Sequence, residues 1–338
     1  MEGNDGNARR IGLSVSGNLP IDQLSEFARK ADVAGFDSLW IHETYFMRDA
    51  VTQLTASALA TKKMKIATGC INPFTRNTTV IAMTMATLNE YSPGRFILGI
   101  GTGYPLRLNQ MGIELVHPAK ELEKRIGEIR LLLKGEAVKN GARLMFRNPS
   151  SAIPVFVGVR KKTMLRMAGR VADGYLAAPA ESTQSIRRII SELNSARNGI
   201  NSSSRNRKIE VAANILTYVA ERKEDAIQIA KRDPFVTYMM AVLDDRTLIE
   251  SGFTYEDRSR IFEPYMKGRI EEASSKIKDE MIQAFAAVGD YDSVIDKLKD
   301  YVRAGVDLPL LLPIKTDQAS LGRLLEVQPL YADAYMSA

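Results

Sequence analysis

Two runs of this chain place glycine and small polar residues where a ligand could be held. The first is Lys-Ile-Ala-Thr-Gly-Cys-Ile-Asn-Pro from Lys65 to Pro73, and the second is Arg-Phe-Ile-Leu-Gly-Ile-Gly-Thr-Gly-Tyr from Arg95 to Tyr104. Each reads as an apolar strand ending in a glycine-bearing turn, with a helical pattern between them. A parallel sheet gathers such strand ends on its carboxyl face, where α/β proteins bind ligands. Gly99-Ile-Gly-Thr-Gly is not a dinucleotide fingerprint, because the third glycine of G-x-G-x-x-G falls on Tyr104 and no acid follows at the expected strand end. Glycines that let a ligand or a second backbone come close are the better physical account.

Other candidates are few. Glu43 follows a strand, where by itself it reads as a solvated or ion-paired carboxylate. Gly158-Val-Arg-Lys-Lys-Thr opens a helix after a strand, and unpaired N–H groups at a helix N-terminus form an anion site to which Arg160 and Lys161 would add charge. Lys315, just past the last strand, is the one lysine placed for aldolase-type chemistry. With a single cysteine, Cys70, and two histidines, His42 and His117, neither a disulfide framework nor a metal site is expected. The sequence has no P-loop and no Gly-x-Ser-x-Gly elbow.

Positioning these residues requires a large α/β framework. The chain has 338 residues, 45% of them hydrophobic, enough for one big core or two small ones. Strands are predicted at 11–16, 38–42, 66–71, 96–100, 154–159, 174–177, 210–220 and 308–313, with helical patterns at 21–34, 52–62, 80–89, 119–134, 161–172, 183–198, from 223 and from 320. Eight strands alternating with helices predict a (β/α)8 TIM barrel over residues 1–338, with an open doubly wound sheet as the alternative. Residues 233–280 break the alternation and read as a helical insertion before the last strand, near the barrel mouth.

The motifs Trp40-Ile-His-Glu, Ala67-Thr-Gly-Cys-Ile-Asn-Pro-Phe-Thr-Arg, Gly94-Arg-Phe-Ile-Leu-Gly-Ile-Gly-Thr-Gly and Pro154-Val-Phe-Val-Gly-Val, in this order and with Ala172-Asp-Gly downstream, resemble the bacterial-luciferase-like superfamily. Within it the resemblance is to the coenzyme F420-dependent branch around methylenetetrahydromethanopterin reductase. It implies a barrel that binds a deazaflavin or flavin at its strand ends. It also implies a non-prolyl cis peptide, falling here at Gly69-Cys70, behind the ring. Thr68, Asn72, Gly101 and Thr102 then line the ring and its polar edge, and Gly158, Val159 and Arg160 meet the cofactor phosphate. Thr44 stands where the branch has histidine after its acid, which leaves Glu43 as the candidate proton donor, provided burial raises its pKa. Tyr104 and Arg107 replace the Glu and Asn of the sugar-phosphate dehydrogenases and argue against glucose-6-phosphate.

The function implied is hydride transfer between F420 and a small organic substrate such as a pterin, a quinone or an alicyclic alcohol, walled by Asn72, Phe74, Tyr104 and the inserted helices. An FMN-dependent monooxygenase and a non-catalytic flavin-binding protein are the alternatives. A net charge of +6 with dispersed basic residues does not suggest a nucleic-acid partner, and no run is apolar for long enough to span a membrane. A cytoplasmic location is the expectation, and by analogy with the family a homodimer.

Overall fold

Why the barrel closes follows from which residues face inward. In the computed structural model, which describes residues 10–148, 152–199 and 208–336, nine parallel strands form: β1 (Gly12–Val15), β2 (Ser38–Ile41), β3 (Lys65–Thr68), β4 (Phe96–Gly101), β5 (Val155–Gly158), β6 (Gly174–Ala177), β7 (Glu210–Val219), β8 (Ala286–Gly289) and β9 (Leu308–Pro313). Strands β1 to β7 pair in sequence, and β9 closes the ring between β7 and β1. Side chains alternate across each strand. Trp40, Ala67, Ile97, Phe156, Leu176, Ala212, Leu308 and Leu310 point to the axis and fill the lumen, while their neighbours, such as Leu39, Ile66, Leu98, Val157 and Ile215, face the helical ring. The closed eight-strand parallel barrel agrees with the expected fold class, and the open sheet is excluded.

The helices are α1 (Ile21–Ala34), α2 (Ala50–Ala60), α3 (Thr78–Tyr91), α4 (Pro105–Gln110), α5 (Pro118–Leu133), α6 (Lys162–Val171), α7 (Thr183–Asn198), α8 (Lys223–Lys231), α9 (Pro234–Ala241), α10 (Asp245–Glu250), α11 (Tyr255–Met266), α12 (Ile270–Ser275), α13 (Asp279–Phe285), α14 (Tyr291–Arg303) and α15 (Gln318–Met336). Gly35, at φ +88°, ends α1, the left-handed stop that glycine adopts most readily.

The structure departs from the eight-strand count in one place. Ala286-Ala-Val-Gly forms β8, which pairs with Leu216 to Val219, beyond the stretch of β7 that β6 covers. This is possible because β7 runs on for ten residues and offers a free edge above β6. Helices α9 to α13 occupy the segment between α8 and β8. They pack around their own buried cluster, including Val236, Met240, Leu248, Ile261 and Met281, and Asp233, Asp244 and Thr254 cap α9, α10 and α11 through their side chains. No helix among the described residues is long and apolar enough to cross a membrane.

Candidate active site

The carboxyl ends of β3, β4 and β5 approach one another unusually closely. β3 is in register with β4 at Ile66–Phe96, yet beyond it Ile71 pairs with Ile100, so one extra residue bulges out of the third strand. The bulge contains the cis peptide Gly69-Cys70, at the position the family resemblance implies. The Thr68 carbonyl passes so near β4 that any Cβ at position 99 would overlap it, which makes glycine obligatory there. The Thr68 hydroxyl donates to the Gly99 carbonyl at 2.7 Å and is fully buried. It locks the two strands together rather than reaching the mouth.

Around the bulge lies a wall almost without side chains. Gly101 pairs with Gly158; a Cβ on Gly101 would sit 2.7 Å from the Gly158 carbonyl, and one on Gly158 would sit 2.5 Å from Cys70 Sγ. The Cys70 thiol is pushed up to about 12 by burial, so it is an inert packing group and not a nucleophile. A flat cradle of backbone is what a planar ring can lie against.

The predicted polar residues are present but largely occupied with one another. Asn72 donates to Tyr45 Oη at 2.5 Å and to the Thr102 carbonyl at 3.0 Å, and its Oδ1 accepts from the Phe74 N–H at 2.8 Å. It therefore ties together the loops after β2, β3 and β4. Glu43 accepts from Arg76 Nε at 2.7 Å and from the Asn72 N–H at 2.8 Å, and Arg76 also binds Asp49. Both oxygens of Glu43 are thus committed to fixing the β3 loop. Lys315 is ion-paired at 2.9 Å with Asp233, which itself caps α9.

Across the bulge stands a residue that sequence reasoning passed over. Trp40 faces the lumen, so two residues on His42 does too, and its ring edge flanks Gly69. His42 Nε2 lies 2.5 Å from Ser14 Oγ and 3.3 Å from Asn214 Oδ1. Asn214 donates its own amide to the Ala177 carbonyl at 2.9 Å, so its oxygen faces the ring, and Nε2 is held between that oxygen and the Ser14 hydroxyl, which can donate or accept. Nδ1 has no hydrogen-bond partner among the described residues. Burial lowers the imidazole to about 4, so His42 is neutral near pH 7. An unfolded histidine titrates near 6.5, so the stability this neutral ring contributes is complete above that value and is lost as pH falls from 6.5 through 4. We expect an acid-linked loss of at most about 3 kcal/mol, visible in urea unfolding at pH 7.5 and 4.5 and diminished in His42→Gln.

On the β5 side, α6 begins at Lys162 with no side-chain cap on its first N–H groups, which leaves them free for an anion. Arg160 precedes it; its Nε is buried without a hydrogen-bond partner, and its terminal nitrogen donates to the Pro179 carbonyl at 2.8 Å. Val159 is buried, and its carbonyl accepts from Tyr175 Oη. Backbone cradle, uncapped helix and cation together suit a planar ring carrying a phosphate. Among the described residues no group of three or more His, Cys, Asp or Glu side chains could hold a metal ion. Over the mouth, Tyr104 packs edge-on against Tyr238 at 6.4 Å, and Tyr238 contacts Tyr265 at 5.9 Å, which brings α9 and α11 to the loop after β4.

Comparison with known proteins gives the same architecture. The chain is 29% identical over 312 residues to a 5,10-methylenetetrahydromethanopterin reductase of Methanolobus tindarius, covering 88% of this chain and 91% of that one, and 27% identical, with the same coverage, to the protein of that name from Archaeoglobus fulgidus. Among solved structures it resembles the coenzyme F420-dependent tetrahydromethanopterin reductase of Methanopyrus kandleri, with a TM-score of 0.81, 24% identity and 96% and 97% of the two chains covered. It also resembles an F420-dependent secondary alcohol dehydrogenase, with a TM-score of 0.75, 19% identity and 96% and 99% covered. The family model described as luciferase-like monooxygenase matches residues 7–308, and the chain belongs to that family.

Proposed function

We propose that this protein is an oxidoreductase that transfers a hydride between coenzyme F420 and a small organic substrate. The observation that carries the reading is the side-chain-free wall of Gly101 and Gly158 beside the Gly69-Cys70 bulge, continuous with the uncapped start of α6 and with Arg160. The names of the similar reductases point the same way. FMN is the less supported cofactor: its case rests on more distant neighbours, such as the FMN-bound oxygenating component of a Baeyer–Villiger monooxygenase from Pseudomonas putida, with a TM-score of 0.67 and 17% identity.

Bound there, F420 would supply two-electron hydride chemistry, which needs neither a metal nor a protein nucleophile. The chain's own residues supply orientation. Gly69, Cys70, Gly101 and Gly158 give the surface on which the ring rests, while Thr68, Asn72 and the Thr102 carbonyl keep the three loops in place. Val159 and Arg160 hold the phosphate together with the first N–H groups of α6. Glu43 acts by fixing the β3 loop through Arg76 and the Asn72 N–H. His42, neutral and with Nδ1 open, offers a hydrogen bond to a polar group of the substrate. Tyr104, Tyr238 and Tyr265 give the mouth an aromatic side that suits a flat, pterin-like substrate better than a short alcohol.

The test is to mix the protein with oxidised or reduced F420 and a panel of reduced pterins, secondary alcohols and quinones, and to follow deazaflavin absorbance. Turnover with at least one class is the expected result; F420 that binds but exchanges no hydride with any class would leave a binding protein.

A further inference from the structure

Glu181 is a buried carboxylate with no part in the chemistry above. It lies just past β6, only 4% exposed, after Ala180, whose φ of +61° turns the chain inward. A non-glycine residue held in that region persists only where its surroundings demand it. Glu181 Oε1 is 3.5 Å from Arg160 Nε, its Oε2 accepts from Thr247 Oγ1 of α10 at 3.2 Å, and its carbonyl accepts from Tyr301 Oη of α14 at 2.7 Å. It therefore joins the proposed phosphate loop to the inserted helices.

The pairing with Arg160 is incomplete. At 3.5 Å the Nε makes no hydrogen bond, and about a third of the Arg160 side chain faces solvent. The other charged or titratable groups around Glu181 do not replace that cation. Arg188 of α7 is engaged by Glu250 at 2.6 Å, Asp244 at the start of α10 repels it, and Tyr175 of β6 is neutral, as is Tyr301. Burial already pushes the Glu181 carboxyl above the usual carboxylate range, with Arg160 the chief group opposing the shift. An anion that engages Arg160 would take away that opposition.

We propose that Glu181 is a positioning residue that holds Arg160 in place when the anion site is empty and takes up one proton from solvent when a phosphate-type anion engages Arg160. The inference rests on the cofactor reading only for the identity of the anion. The proton neutralises the carboxylate, the guanidinium keeps its charge and pairs with the anion, and no other bond changes. Thr247 can hydrogen-bond to the neutral acid as to the ion, so the link to α10 survives the exchange.

The experiment is calorimetric titration of the full chain with F420 and, separately, with sulfate, whose charge is constant through the neutral range. Each titration is run in two buffers of different ionisation enthalpy, for the native protein and for Glu181→Gln. The glutamine can still accept from Thr247, and the native protein's own proton count does not depend on the variant. We expect uptake approaching one proton for the native protein with either probe. Affinity should fall by up to about tenfold per pH unit where Glu181 is charged in the free state, and in Glu181→Gln the uptake and this slope should disappear with sulfate. Equal proton counts in the two proteins overturn the proposal, and so does failure of both probes to bind. Sulfate binding with Glu181-dependent uptake but no F420 binding upholds it and refutes the cofactor reading instead.

Discussion

Replacing Trp40 by alanine is expected to destabilise the fold by about 3–5 kcal/mol. The side chain is fully buried inside the barrel, its ring meets Phe156 edge-on at 5.2 Å, and its Nε1 donates to Ser38 Oγ at 3.0 Å. Truncation removes the largest group in the lumen and leaves the buried Ser38 hydroxyl without that donor. The surrounding strands are bonded on both edges, so they cannot collapse into the space, and the cavity persists. Trp40→Phe keeps most of the volume and should cost markedly less. Urea unfolding measures both, and a loss below about 0.5 kcal/mol for the alanine variant, the range of ordinary surface changes, would contradict the packing described.

The second large effect is expected at Gly158. A Cβ there would stand 2.5 Å from Cys70 Sγ, and the rest of a valine would project from the wall on which the ring is proposed to lie. Overpacking of this kind costs roughly 1–3 kcal/mol, or about 5- to 150-fold in affinity if it falls on binding. Gly158→Val should therefore weaken F420 binding by that factor while its thermal transition stays cooperative. Gly158→Ala should be milder, and Cys70→Ala in the same chain should recover part of the loss by removing the sulfur it meets. If Gly158→Val bound F420 as tightly as the native protein, the ring would not lie on this wall.

The barrel was legible because its strands are near-continuous apolar runs of four to ten residues separated by helices with clear periodicity, and the segment that breaks the rhythm is where α9 to α13 fold. The cis peptide was legible only through the family motif around Gly69-Cys70, since glycine before a small residue carries no such signal of its own. Strand β8 was not, because Ala286-Ala-Val-Gly is short and lacks the bulky alternation of its neighbours; it exists because β7 extends past β6 and offers an edge. Glu43 was placed correctly at the end of β2, but its partner Arg76 lies 33 residues away, so the ion pair that occupies it could not be read from sequence. His42 did have a signal. Inward-facing Trp40 two residues earlier puts it on the lumen side of the same strand end. Glu181 had none, for an acid in Ala-Pro-Ala-Glu-Ser looks like any loop carboxylate until the tertiary fold buries it against Arg160.

The central claim is that the glycine wall and the adjoining anion site hold a deazaflavin. Parallel fluorescence titrations of the purified protein with F420 and with FMN test it most directly. We expect F420 to bind in the micromolar range or tighter and FMN at least about tenfold more weakly, a gap of roughly 1.4 kcal/mol. A preference for FMN would assign the chain to flavin-dependent chemistry, and failure to bind either would contradict the account of the site altogether.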